Sequence, residues 1–139
     1  MSLFENKNQS FEQLRRDFRW RIPEFYNIGE DVCDRHGARA DQTALFLEDS
    51  AGRTYTVTFG ELKTRSDRFA NALRGLGVGR GDRVAIILPQ REETVIAHIA
   101  VYKLGAIALP LFSLFGPDAL GHRLADSGSK VLITRVGNL

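Results

Sequence analysis

The stretch RVAIILPQREETVIAHIAVYKLGAIALPLFSLFGPDALGHRLADSGSKVLIT, Arg83 to Thr134, alternates short apolar runs with longer amphipathic ones. Val84 to Leu88 (VAIIL) is continuously apolar and is stopped by Pro89, as expected of a strand covered on both faces. A helix is predicted over about Arg91 to Leu104, ending at Gly105. A second buried strand follows at Ala106 to Leu111, then a helix at Asp118 to Asp126 behind Pro117, and a third strand at Lys130 to Thr134. Buried strands separated by helices on short loops pair in parallel through right-handed crossovers, so this half reads as an open βαβαβ sheet covered by helices. Pro110 cannot donate to a ladder and is expected at a strand end or a bulge.

Upstream, Thr58 with Glu61 three residues later forms a capping box, and Val57 with Leu62 occupies the staple positions, so a helix should begin at Phe59. Its core stripe is Leu62, Ser66, Phe69, Leu73 and Leu76. Ala44 to Glu48 and Thr54 to Val57, joined by DSAGR, read as a β-hairpin. A helix is expected from about Ile28 to His36, closed by Gly37. Before it, Phe11, Leu14 and Phe18 at helical spacing predict a short amphipathic helix that packs on a neighbour.

The 139 residues fit one domain. Hydrophobic residues at 43% and charged residues at 26% are ordinary for a soluble globular chain. Nineteen basic against 17 acidic residues, a formal charge of +2, give no nucleic-acid surface. A single cysteine, Cys33, excludes an internal disulfide and points to a reducing cytoplasm. Met1 to Gln9 has no apolar run of the secretory type, and no apolar stretch approaches the ~20 residues of a membrane span.

Several constellations carry a bland reading that is stronger than the chemical one. GLGVGRGD, Gly75 to Asp82, resembles a phosphate-cradling loop, but it follows a helix and opens a strand, the reverse of the required order. It is read as a helix-ending turn. Cys33 and His36 share a helical face, yet two ligands fall short of the four of a structural zinc; a buried cysteine and a surface histidine are expected. His98, near Glu92 and Glu93, is read as the polar margin of the stripe Val95, Ile99, Tyr102 rather than as a general base. LFSLFGPDAL, Leu111 to Leu120, leaves the carboxyl end of a predicted strand, where open parallel sheets bind ligands; the rival reading packs Phe112 and Phe115 under the next helix.

Taken in order, the hairpin, GDRV (Gly81 to Val84), the strand closed by Pro89 and KLGAIALP (Lys103 to Pro110) resemble the adenylate-forming superfamily of acyl-CoA synthetases, peptide-synthetase adenylation domains and luciferases. YNIGEDVCDRHG, Tyr26 to Gly37, is similar to the AMP-forming acyl-CoA synthetase branch, particularly the acetyl to medium-chain enzymes. The resemblance runs from about Phe25 to the end. It implies a ligase that activates a carboxylic (fatty) acid with ATP and magnesium to acyl-AMP and pyrophosphate, then transfers the acyl group to coenzyme A.

It further implies that residues 25–139 are the first subdomain of a large amino-terminal domain, behind an amphipathic segment at 1–24. The family's Ser/Thr/Gly-rich phosphate loop, Thr-Glu pair, ribose-binding aspartate and mobile-domain lysine are not found here. The 139 residues are therefore expected to be an inactive amino-terminal fragment with no catalytic residue and no tightly bound cofactor, its last strand an edge covered by downstream chain. The loop Phe112, Ser113 and Leu114 corresponds to a loop at the coenzyme A nucleotide site, with Ser113 and Leu114 standing where those relatives carry two glycines. Expected partners are a small carboxylate, coenzyme A and the rest of the polypeptide, with room for a homo-oligomer, and no nucleic acid or membrane span. The rival readings are a stand-alone nucleotide-binding module or an interaction fragment without catalysis.

Overall fold

The computed structural model describes residues 10–20 and 22–135, so the readings of Met1 to Gln9 lie outside the described residues. The elements run α1 (Phe11–Asp17), α2 (Ile28–Val32), a 3-10 segment (Asp34–Arg39), β1 (Thr43–Glu48), β2 (Thr54–Thr58), α3 (Phe59–Gly75), β3 (Arg83–Ile87), α4 (Glu92–Lys103), β4 (Ile107–Pro110), α5 (Pro117–Ser127) and β5 (Val131–Thr134). β1 and β2 form the antiparallel hairpin. The other three strands form a parallel sheet in the order β4-β3-β5. The α/β class and the βαβαβ half are as the sequence predicts.

β3 is central, and its alternation divides the core in two. Val84 and Ile86 face a cluster with Ala70, Leu73, Ala97, Ala100 and Val101, contributed by α3 and α4. Ala85 and Ile87 face the other way, onto Leu111 and onto Leu120 and Leu124 of α5. A third cluster joins Val57, Leu62, Ile96 and Ile99 to Cys33, seating the hairpin on α3 and α4. Burial on both faces is why β3 tolerates no polar residue between Val84 and Ile87. Pro110 ends β4. Ile107 and Leu111 donate to Asp82 and Ile86 at 2.8 and 2.9 Å, so by alternation the nitrogen of Pro110 faces off the sheet edge, where no ladder bond is lost.

The capping box is formed: Thr58 Oγ1 accepts from the Glu61 amide, and the Glu61 carboxylate accepts from the Thr58 amide at 2.8 Å. Three expectations need correction. The helix predicted to His36 breaks at Cys33, whose backbone is non-helical (φ −131°, ψ −65°), and resumes as the 3-10 segment. That break turns the thiol into the third cluster and brings Asp34 to α4. Leu76 is 65% exposed because it is the C-cap of α3, where the chain leaves the helix axis; Val78 fills the core in its place. α1 buries none of its residues, and Phe11 is exposed rather than packed on a neighbour.

Lys103, near the end of α4, explains why α2 and the 3-10 segment sit where they do. Its ammonium lies 2.7 Å from Asp34 and 2.6 Å from Asp67, while Lys63 reaches Asp67 at 2.7 Å. Burial works against ionising Asp67, but the hydrogen bonds from Lys103 and Lys63 outweigh it and hold the carboxyl below its usual range. α2 lies directly against this part of α4. A Cβ on Gly29 would fall 2.6 Å from Lys103 Cγ, so only glycine allows the approach.

Candidate functional site

The two ends of the parallel sheet are built differently, and the glycine-rich segment occupies the amino end. There Gly77 (φ +84°) donates to Arg74 at 2.9 Å and Val78 to Leu73 at 3.0 Å, the paired bonds that close a helix through a left-handed residue. The Gly79 amide and the Lys130 ammonium reach the same Asp82 oxygen, at 2.8 and 3.0 Å, and hold that carboxyl below its ordinary range. Arg83 donates to the carbonyls of Ser127 and Gly128 at 2.8 and 3.0 Å, capping α5. GLGVGRGD is thus a turn whose Gly77, Gly81 and Asp82 amides and Asp82 carboxylate are engaged within the fold, and it opens a strand rather than a helix.

At the carboxyl end the loops diverge. The loop after β3 runs to α4 on one face of the sheet, and the loop after β4 runs to α5 on the other. Neighbouring strands whose outgoing loops part in this way leave a crevice between them, the place where open α/β sheets bind ligands. Here the crevice is a cavity of about 490 Å³ lined by Ile86, Leu88, Pro89, Gln90, Thr94, His98, Pro110, Leu111, Phe112 and Ser113.

Its walls are shaped locally. Thr94 Oγ1 donates to the Pro89 carbonyl at 2.6 Å, tying the first turn of α4 to the loop after β3. His98 follows one turn later, half-buried, its Nδ1 2.8 Å from the Thr94 carbonyl. On the β4 side Phe112 and Leu114 are 61% and 79% exposed. The two phenylalanines divide: Phe115 is partly covered by α5, with the Arg123 guanidinium 4.2 Å from its ring centre, whereas Phe112 meets Phe115 edge-on at 6.0 Å and stays open. The structure therefore brings Phe112 and Ser113 to the crevice and leaves Leu114 outside its lining. Gln90 and Thr94 were not singled out from the sequence, and His98 was placed only at a stripe margin. The signal that finds them is topological: all three follow the strand whose loop diverges.

A second cavity, about 580 Å³, lies beside β5 and is walled by Phe69, Leu88, Ile96 and Ile133 with Arg65 and Arg68 at its rim. Arg65 makes two 2.8 Å hydrogen bonds to Glu92, so its charge is already matched. Cys33 is 1% exposed and burial pushes its thiol up, the opposite of an activated nucleophile. His36 stacks on Phe59 at 4.5 Å, half-buried rather than on the surface. Among the described residues no three His, Cys, Asp or Glu side chains gather as a metal site, and no helix is long and apolar enough to cross a membrane.

The likeness of this chain to known proteins is specific. The family described as AMP-binding enzyme matches residues 33–139. The chain belongs to the AMP-binding enzyme family. Within it, the chain is 40% identical over 130 residues to the acetyl-coenzyme A synthetase of Xanthobacter autotrophicus, covering 92% of this chain and 20% of that protein. Among solved structures it is similar to the Brucella canis acyl-CoA synthetase, with a TM-score of 0.78 and 34% identity over 81% of this chain and 21% of the other. It is also similar to the anthranilate CoA ligase AuaEII in complex with anthranoyl-AMP, with a TM-score of 0.70 and 34% identity, covering 80% of this chain and 20% of that one. This AMP-binding enzyme chain thus spans about a fifth of the length of the relatives it matches, and its sheet is part of a larger domain.

Proposed function

We propose that the protein carrying this chain is an acid–thiol ligase: it activates a carboxylic acid with ATP to acyl-AMP and pyrophosphate and transfers the acyl group to coenzyme A. The observation that carries this reading is the 40% identity to acetyl-coenzyme A synthetase across 92% of the chain. Residues 25–139 are the first subdomain of its large domain and residues 1–24 an amino-terminal segment. The 139 residues alone are inactive, their partners being the carboxylate, coenzyme A and the remaining polypeptide, in the cytoplasm.

When bound, ATP with magnesium would supply the adenylyl group, with pyrophosphate as the leaving group, and coenzyme A would supply the accepting thiol. The residues present fit the second ligand. Phe112 offers an open aromatic face at the mouth of the crevice and with Ser113 forms one edge of the coenzyme A site, while Leu114, exposed beside them, lies outside the crevice lining. The side chain of Ser113 narrows that edge. Binding and orienting the acceptor is the task assigned to this chain; no step involving magnesium is assigned to its residues.

The test is product analysis with the complete protein, ATP, magnesium and coenzyme A against carboxylates from acetate to medium-chain fatty acids. The expected products are AMP and an acyl thioester seen by mass spectrometry. Formation of ADP, or no thioester with any acid, would overturn the reading.

A further inference from the structure

Two polar groups of the crevice wall, Thr94 and His98, have hydrogen-bond partners within the fold, and His98 keeps a second ring nitrogen beyond the one that is used. Its Nδ1 lies 2.8 Å from the Thr94 carbonyl, and a carbonyl oxygen only accepts, so Nδ1 carries a proton. In the neutral ring the second nitrogen, Nε2, is then an acceptor. No hydrogen-bond partner for Nε2 is found among the described residues. The ring is held on both sides: Tyr102, one turn on, meets it at 6.1 Å, and Thr94 is itself fixed by its bond to Pro89. His98, half-buried and of fixed orientation, borders both the cavity lined by Phe112 and Ser113 and one on the hairpin side lined by Val32, Leu45 and Tyr102.

We infer that His98 is a binding residue for the acceptor thiol, its Nε2 taking a hydrogen bond from an amide N–H of the pantetheine arm of coenzyme A. The inference rests on the ligase reading above and deepens it. The class of ligand follows from the walls. Leu88, Pro89, Pro110 and Leu111 give an apolar channel suited to a methylene chain, while Gln90, Ser113 and His98 are spaced polar groups, which suits an arm of alternating methylene and amide units. An aliphatic acyl chain would leave those polar groups unpaired, at a cost that disfavours it here.

The test separates the two half-reactions in the complete protein. Adenylation is read by carboxylate-dependent pyrophosphate exchange into ATP, which needs no thiol, and transfer is read by thioester formation against coenzyme A concentration. His98→Ala is expected to raise KM for coenzyme A about tenfold, the scale of one lost hydrogen bond in a partly buried site, with exchange unchanged. His98→Gln, whose amide oxygen can reach the Nε2 position, should recover most of the loss; His98→Asn, whose polar atoms stop at the Nδ1 position, should not. With pantetheine in place of coenzyme A the same ratio between wild type and His98→Ala should hold.

An unchanged KM in His98→Ala, an equal fall in exchange, or a penalty seen with coenzyme A but not with pantetheine would overturn the inference while leaving the ligase reading standing. A wild-type protein that catalyses neither half-reaction would sink that reading and the inference with it.

Discussion

The amino and carboxyl ends of the β4-β3-β5 sheet are a few residues apart along each strand and opposite in character. At the amino end Leu73 and Val78 are 1% and 2% exposed, and Asp82, Arg83 and Lys130 bond to backbone or to one another. At the carboxyl end Phe112 stands in solvent at the mouth of a cavity, with Leu114 exposed beyond its lining. The contrast teaches where this chain spends its motifs. GDRV, one of the segments that carry the family resemblance, is structural: Asp82 closes a turn, Arg83 caps a helix and Val84 fills the core. The less regular LFSLF is where the proposed function puts recognition.

Four perturbations test this contrast in the complete protein, each read locally by amide hydrogen exchange on α3 and β3. Truncating a side chain at the closed end should cost most: Leu73→Ala removes a fully buried side chain and is expected to lower the opening free energy by about 2–4 kcal/mol. Gly77→Ala places a side chain at φ +84° and should cost about 1–2 kcal/mol, with fraying confined to the last turn of α3. A cost as large as that of Leu73→Ala would mean that the turn anchors more than its helix.

The third perturbation is acid. Asp82 has its carboxyl lowered first by the Gly79 amide and then by Lys130, so the folded pKa lies below the unfolded one. A depressed carboxylate contributes stability that is present above the unfolded value, about 3.9, and is lost as pH falls through the folded value. Protection of the turn should therefore decline below about pH 4, and Asp82→Asn should be weaker at neutral pH with that acid decline flattened. An unaltered acid profile in the variant would remove Asp82 from the account. The smallest effect belongs to the open end: Phe112→Ala should leave opening free energies within about 0.5 kcal/mol while raising KM for coenzyme A. A destabilisation comparable to Leu73→Ala would show Phe112 to be core and would return the loop to the packing reading.

The legible and illegible parts of the sequence divide along the same line. Local signals carried the strands, the Thr58 and Glu61 box and the end of α3, because each is set by residues within one turn of one another. Pro110 could be placed at a strand end because a missing donor has few tolerated positions. The break at Cys33 was not legible: it goes with a pairing of Asp34 to Lys103 of α4, far along the chain, and charge pairs across elements leave no periodic trace. Nor was the crevice. Phe112 and Phe115 look alike in sequence, and only the face on which α5 lies, with Arg123 over one ring, separates them. Gln90, Thr94 and His98 join Phe112 and Ser113 only because the two loops part at adjacent strands.

The most direct test of the central claim, that this chain is one fifth of an adenylate-forming ligase and acts only within it, is carboxylate-dependent exchange of labelled pyrophosphate into ATP. It should be measured side by side on the complete protein and on the 139 residues alone. The account predicts exchange by the complete protein with at least one carboxylate and none by the isolated chain; exchange by the isolated chain, or none by the complete protein with any acid, would contradict it.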